Sequence, residues 1–379
     1  MSSSPHLPSE IFDCIVDYLH AERNTLKACC VVSKSWVPRA RIHLFARVTF
    51  HPKYGPLLGW WARRFPDPSA SPAYYTRSLW FCGFPTSSDV NRMLVHIRSF
   101  CNIVELEVET TNQHDSHVSL VPLHGVSPTL KFLSLRYVVL KFSEILNLIC
   151  SFPLLEDLTL IHRDNSGALE EYDIPSTSPK LTGTLTLDNK YFSMTRALTS
   201  LPNGLRFSKI VVLQPVHHAE STLELLSKCS DTLETLSMRY SDWSAFHHFL
   251  CSIVTLPLSM TRTDRSAVPP AFDLSKYSKL QDLQFHTGSA SIRWIIMTLE
   301  AAKPGNLQRI TIYAHKMPSD ETGEEAQEWR DLDCLLSTLW TLHSISPAVT
   351  CNYDLKARAR RLLPELINDG VVSYSWLTE

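Results

Sequence analysis

Histidine pairs are the residues of this chain whose type and spacing come nearest to a metal site. His114 and His117 lie three positions apart in a polar segment, a spacing found in zinc sites, but no Cys-x-x-Cys motif occurs to complete the set. The adjacent pairs at 217–218 and 247–248 direct neighbouring side chains differently, which suits a single metal ion poorly. We therefore predict that the chain holds no metal ion.

Catalytic motifs are also missing from the sequence. The chain has no Gly-x-Ser-x-Gly elbow, no His-Glu-x-x-His motif and, with only 11 glycines, no glycine-rich phosphate loop. Asp331 and Asp333 fall on a predicted helix, where side chains two positions apart do not face each other. We predict that the protein is not an enzyme and uses no cofactor, so its function should reside in binding surfaces.

A recurring pattern of three apolar residues, which we call the apolar phrase, indicates the elements that must position such surfaces. Two residues separate its first and second members, and one residue separates its second and third. Its clear copies include Leu130-Leu133-Leu135, Leu155-Leu158-Leu160 and Leu233-Leu236-Met238. Counting looser copies, the middle residues lie at 79, 106, 133, 158, 185, 210, 236, 283 and 310, so they are 25 to 27 positions apart except for one step of 47. The alternation within each phrase indicates a strand, and the constant step indicates a structural repeat.

The segments between these strands have the apolar spacing of helices. They are Val90–Phe100, Phe142–Ser151, Ser221–Lys228 and Ile292–Ala302. One strand, one helix and two turns make a solenoid coil that buries its leucines only by stacking on its neighbours. The period resembles that of leucine-rich repeats, although the Asn that usually follows the strand is missing and the 47-residue step is long enough to hold an irregular repeat. We predict an α/β fold, an irregular solenoid with parallel strands on its concave face and helices outside; a mixed α/β domain with a single sheet is the alternative.

The first 45 residues have a helical pattern instead. Ile11, Ile15 and Leu19 recur every four residues and form one apolar stripe, and Leu26 begins a second apolar series. Three further landmarks are Leu7-Pro8-Ser9-Glu10-Ile11, Tyr18-Leu19 and Val32-Ser33-Lys34-Ser35-Trp36. In order and spacing they resemble the three short helices of an F-box. A helical cap that closes a larger domain is the alternative interpretation.

An F-box ties a substrate receptor to a cullin-RING ubiquitin ligase through a Skp-family adaptor. The resemblance, which extends to fungal F-box proteins with degenerate leucine-rich repeats, therefore implies the substrate-recognition subunit of an SCF-type ligase. The positions that resemble adaptor-contacting residues are Leu7, Pro8, Ile11, Ile15, Leu19, Leu26, Cys29, Val32 and Trp36. A leucine-rich-repeat scaffold for protein–protein interaction, without a ligase role, is the alternative function.

The target protein should contact side chains that alternate with the buried leucines of each strand, because successive strand residues face opposite sides of the sheet. These positions mix charges and include Arg, Trp and Tyr, which are favoured at interfaces. The residues expected to bind the target on the concave face are Trp80, Glu107, Arg136, Asp157, Asp188, Arg239, Gln284, His286, Arg309 and Tyr313.

Length and composition set the remaining expectations. We predict an F-box at 1–50, a connecting segment at 51–72, the solenoid at 73–355, and a C-terminal capping helix with a tail at 356–379. The net charge of −2 gives no reason to expect nucleic acid or membrane partners. The chain shows neither a signal peptide nor a Cys-x-x-Cys motif, and its ten cysteines lie mostly in apolar stretches, so we expect free thiols in the cytosol or nucleus.

Overall fold

The computed structural model describes most of the chain, and all structural statements refer to that part. The described residues are 8–51, 57–82, 94–110, 120–138, 142–162, 176–188, 192–213, 219–239, 274–287, 292–301, 306–314, 317–320, 322–343, 345–352 and 355–375. They belong to two compact units. The first comprises residues 1–157 and 161–179, and the second comprises 158–160 and 180–379.

Twelve strands follow one another in chain order in an open sheet, and the strand pairs whose register is resolved are parallel. The strands are β1 Arg47–Phe50, β2 Ser78–Cys82, β3 Glu105–Glu109, β4 Phe132–Val138, β5 Asp157–His162, β6 Thr184–Asp188, β7 Lys209–Leu213, β8 Thr235–Arg239, β9 Asp282–Thr287, β10 Arg309–Ala314, β11 Ser346–Asn352 and β12 Val372–Ser375. The expected α/β class with parallel, repeat-like strands is confirmed at this level, and the open sheet fits a solenoid-like arrangement.

The middle residues of the predicted phrases align across the sheet. In the first unit Leu79 pairs with Leu106, and Leu106 pairs with Leu133. In the second unit the same register runs from Leu158 through Leu185, Ile210, Leu236 and Leu283 to Ile310. All of these side chains are buried. The nine strands predicted from the spacing are therefore present.

The 47-residue step does not add a strand between its ends. Leu236 of β8 pairs directly with Leu283 of β9, so the two strands are neighbours despite the longer connection. Most of that connection, residues 240–273, lies outside the described residues. The possible irregular repeat there therefore contributes no rung between β8 and β9.

Hydrogen bonds one coil apart fix the start of each strand. The Arg77 carbonyl accepts from the amides of Val104 and Glu105, and the Val104 carbonyl accepts from Lys131 and Phe132. Side-chain donors add further links between neighbouring coils. The Ser127 hydroxyl donates to the Ile103 carbonyl at 2.8 Å, and equivalent one-coil links come from Thr129, Ser208, Thr232 and Asn102. These links give turn carbonyls a side-chain donor, although the Gly183 carbonyl also accepts from the amides of Ser208 and Lys209.

Helices precede the first strand and connect the later ones; most lie at the predicted places with shifted ends, whereas Leu58–Arg64 and Phe192–Thr199 were not predicted. They are α1 Ser9–Tyr18, α2 Arg23–Val32, α3 Val37–Leu44, α4 Leu58–Arg64, α5 Phe142–Cys150, α6 Phe192–Thr199, α7 Ala219–Lys228, α8 Ile292–Ala301, α9 Glu324–His343, α10 Lys356–Leu362 and α11 Pro364–Asn368. Residues 94–98 are also helical, as expected. The C-terminal helix that the sequence predicts is two helices, because Pro364 begins α11 and cannot continue α10.

Buried polar contacts order the C-terminal part of the second unit. Asp333 on α9 is 3 % exposed and accepts hydrogen bonds from the amides of Glu365 and Leu366, both at 3.0 Å. These amides belong to the first turn of α11, where helical N–H groups have no partner within the helix. Burial raises the pKa of the Asp333 carboxyl, although the two amide bonds act in the opposite direction. Asp333 therefore links α9 to α11. Strand β12 follows α11 and extends the sheet within the residues predicted as a tail.

Candidate protein-binding surfaces

The first three helices form a small unit of packing within the first compact unit, which we call the N-terminal module (α1–α3). Its buried cluster consists of Val16, Leu26, Cys29 and Ala40, with partly buried Leu19, Cys30, Trp36 and Leu44 against it. The buried side chains are mostly short, so the module has a small core. The last residues of the range predicted as an F-box form β1, which pairs with β2.

A polar clamp joins the first and third helices of the module. Asp17 on α1 accepts hydrogen bonds from Arg39 Nε at 2.6 Å, from Arg39 Nη2, and from His43 Nε2 at 2.8 Å. The hydrogen bonds from Arg39 and His43 hold the pKa of the Asp17 carboxyl well below its usual range. Aspartate and arginine are each more than one third exposed, so the clamp fixes the orientation of α1 more than it adds stability.

Large apolar side chains remain exposed on this module. Three of the predicted adaptor-contacting residues are among them: Ile11 is 45 % exposed, Ile15 is 44 % exposed and Val32 is 71 % exposed. Further exposed apolar residues that the sequence analysis did not assign to this surface are Tyr18, Val31 and Ile42. Tyr18 and Val31 are the direct neighbours of the assigned residues Leu19 and Val32. Their apolar character alone does not show whether they face the core or solvent, and in the folded helices both face solvent.

The other predicted adaptor-contacting residues are distributed between surface and core. Pro8 is exposed and precedes α1, while Leu19 and Trp36 are partly buried, with the Trp36 ring 5.5 Å from that of Phe12. Leu26 and Cys29 are buried at 1 % and 6 % exposure, so in this chain they belong to the module's own core. Leu7 lies outside the described residues.

The outward side of the sheet, which carries the residues that alternate with the buried leucines, holds the predicted target-binding residues. In the first unit Trp80 of β2 is in register with Glu107 of β3, and Arg136 of β4 forms an ion pair with Glu107 at 3.0 Å. The His51 ring meets the Trp80 ring edge-on at 6.4 Å. Asp157 is partly exposed at the start of β5. The structure thus brings three of the predicted residues into one cluster.

A second cluster lies on the outward side in the second unit. Arg309 of β10 donates to both carboxylate oxygens of Asp282 on β9, at 2.5 Å and 3.0 Å. Farther along the same strand pair, the rings of His286 and Tyr313 stack with centroids 4.0 Å apart. The Asp282 bonds raise the pKa of the Arg309 guanidinium, which stays charged. Asp282 faces the same side of β9 as the predicted residues, and its bidentate pairing with Arg309 is a contact that the alternation along one strand does not reveal.

The remaining predicted target-binding residues are only partly located. Gln284 lies between Asp282 and His286 on the outward side of β9 and is partly exposed. Asp188 and Arg239 occupy outward register positions on β6 and β8, paired with Leu213 and His286 respectively, and the structure describes their backbone alone.

The structure adds two observations on sites other than protein surfaces. Among the described residues, no group of three or more His, Cys, Asp or Glu side chains could hold a metal ion, and His114, His117 and the pairs at 217–218 and 247–248 lie outside them. Within the same residues, none of the helices combines the length and apolar character needed to cross a bilayer.

The described cysteines are free. Cys229 and Cys351 are buried, and burial raises the pKa of their thiols to about 11 and about 12. Cys14, Cys101 and Cys334 are exposed. The described thiols are therefore unpaired, as expected. Only some of them are buried, although the apolar surroundings in the sequence suggested burial for most.

Comparison with known proteins does not assign the chain to a family. No protein-family model matches it, and no curated protein matches its sequence significantly. Its function therefore has to be argued from the two kinds of surface described above.

Proposed function

We propose that the chain is the substrate-recognition subunit of an SCF-type cullin-RING ubiquitin ligase. In this proposal the N-terminal module is an F-box that binds a Skp-family adaptor, and the repeat-like sheet is a degenerate leucine-rich-repeat solenoid whose outward face binds a target protein. The observation that carries the proposal is the exposure of Ile11, Ile15 and Val32 on three helices that have their own core. Large aliphatic side chains grouped on one small module favour a protein partner.

The energetics of such an interface are adequate. Burying one large aliphatic side chain contributes about 1.5–3 kcal/mol, and association costs about 4–15 kcal/mol before any net affinity remains. Three anchors alone would bind weakly. Tyr18, Val31 and Ile42 are also exposed and would add apolar area to the contact.

The proposed contribution to ubiquitin transfer is positional. The chain would hold a target lysine near the thioester of the ubiquitin-conjugating enzyme and so raise the effective concentration of the reacting groups. No residue of this chain needs to touch the reacting atoms. The free thiols support our expectation that the protein acts in the cytosol or the nucleus.

Capture of a purified Skp-family adaptor by the full chain tests the proposal. Replacing Ile11 and Ile15 with Asp should abolish capture, because two charges would be buried without partners. The matched control replaces Val95 and Val121, which are 61 % and 63 % exposed outside the module, and should capture normally. Capture that the module variant leaves unchanged would overturn the ligase assignment and favour the scaffold function.

The target-binding face has a separate test. Reversing the charge of Arg239 and Arg309 together, and of Arg136 in a second variant, should reduce the set of co-purified proteins identified by mass spectrometry. Adaptor capture should stay normal in both variants. Retention of every partner by both would remove the outward face from the proposal and leave the module assignment standing.

A further inference from the structure

We propose that the outward face of β2, β3 and β4 binds an extended, basic segment of a protein in which Lys or Arg occupies alternate positions. The inference deepens the proposed function and rests on it, since the segment would belong to the target. The surface is defined by Glu105, Glu107 and Glu109 with Trp80 and Phe132 beside them, and we call it the glutamate row.

The row follows from strand geometry. Glu105, Glu107 and Glu109 alternate along β3 with Leu106 and Val108, both of which are fully buried. The three carboxylates therefore stand on the same side of the sheet, about 7 Å apart from one to the next. An extended peptide repeats its own side chains at the same interval on one side. A segment lying along β3 could therefore place a cation opposite each carboxylate.

The charge of the row is only partly compensated. Glu107 is paired with Arg136, but among the described residues no cation forms an ion pair with Glu105 or Glu109. Glu105 is exposed and Glu109 is partly exposed, so both are accessible. Arg136 lies in register with Glu109 but pairs with Glu107, so the three carboxylates of the row together with this one guanidinium carry a net charge of −2. Burial raises the pKa of the Cys82 thiol beside the row, and the negative charges of Glu109 and Glu107 raise it further.

The flanking strands place aromatic rings beside the carboxylates. Trp80 on β2 is in register with Glu107, and Phe132 on β4 is in register with Glu105. Both rings are partly exposed. The indole N–H of Trp80 is itself buried and has no hydrogen-bond acceptor among the described residues, so the ring face and not this N–H is offered to a ligand. Aromatic faces attract ammonium and guanidinium groups and also pack against their aliphatic stems. Carboxylates and aromatic rings together favour Lys and Arg over other side chains and disfavour nucleic acid and acidic peptides.

Fluorescence anisotropy with the full chain and labelled peptides tests the inference. One probe alternates lysine with serine, and the second has the same composition with its lysines in one block. We expect the alternating probe to bind more tightly at low salt. Glu105→Gln combined with Glu109→Gln should weaken its binding about tenfold, because two exposed charge pairs are lost. The control, Glu224→Gln with Glu325→Gln, removes two exposed carboxylates from the second unit and should bind like the unsubstituted chain.

Three results would overturn the inference: no binding of the alternating probe, equal binding of both probes, or unchanged binding by the Glu105 and Glu109 variant. Glutamine keeps the size of glutamate at these outward positions, and a normal thermal melting curve confirms that the variant is folded. Adaptor capture measured on the same samples separates the two proposals. Failed capture with intact peptide selectivity contradicts the ligase assignment alone, whereas normal capture without selectivity contradicts the glutamate row alone.

Discussion

The N-terminal module and the coils that follow it in the first unit differ in how their apolar side chains are covered. The module buries Val16, Leu26, Cys29 and Ala40 and leaves large side chains such as Ile15 in solvent. In the coils of the same unit, Leu106, Leu133 and their equivalents are fully buried. A coil is covered by the next coil of its own chain. The exposed side of the module has no such neighbour among the described residues, and in our proposal a second protein takes that place.

The largest expected effect is in the coils. Leu133→Ala should lower the free energy of unfolding by about 3 kcal/mol, because the side chain is fully buried between neighbouring strands and its loss leaves a cavity. Urea denaturation followed by circular dichroism measures the change. A loss below about 1 kcal/mol would mean that the coil is loosely packed and would remove the contrast with the module.

A smaller effect is expected at the polar link of the second unit. Asp333→Ala should cost about 2 kcal/mol, because the amides of Glu365 and Leu366 lose their acceptor at the start of α11. The same denaturation experiment measures it. Hydrogen exchange at those two amides should accelerate in the variant, and exchange equal to that of the unsubstituted chain would contradict the assigned link.

The polar clamp of the module should show itself mainly through pH. The hydrogen bonds from Arg39 and His43 hold the folded pKa of Asp17 below its ordinary value, so its contribution to stability is present above that ordinary value and is lost as pH falls toward the lowered pKa. The unsubstituted chain should therefore lose more stability on acidification below about pH 4 than the Asp17→Asn variant does. Thermal melting over that range measures the difference. Parallel curves for the two proteins would show that the clamp does not persist in solution.

The smallest effect on stability should come from the exposed apolar surface. Ile15→Ala should change the free energy of unfolding by less than about 0.5 kcal/mol, because the side chain is 44 % exposed in the free chain. The same substitution should weaken adaptor binding measured by calorimetry. A large loss of stability in the free chain would place Ile15 in the core and weaken the proposed interface.

The strands were predictable where apolar residues recur at a fixed interval. The regular spacing of the leucines at 79, 106 and 133 predicts that they align across the sheet, and they pair as expected. Strands β1, β11 and β12 were missed, because Pro347 occupies the aligned position of β11 and the two others have four residues each. These three segments are strands because they pair with a neighbouring strand, and the sequence of one segment alone does not reveal that pairing.

The candidate surfaces were predictable in part for the same reason. The helical period of Ile11 and Ile15 located an apolar stripe, but it did not separate them from Val16, which is buried. The outward residues of the sheet followed from alternation. Their pairing, such as Arg309 with Asp282 or Arg136 with Glu107, depends on register across strands far apart in sequence. The aligned leucines indicate that register, but they do not show which side chains then pair: Arg136 is in register with Glu109 and pairs with Glu107.

The direct pairing of β8 with β9 across a long connection has an evolutionary consequence. Leu236 and Leu283 meet in the same register as residues joined by a connection of ordinary length. A change in the length of this one connection could therefore be inherited without shifting β8 or β9, and with them the outward side chains that the two strands carry.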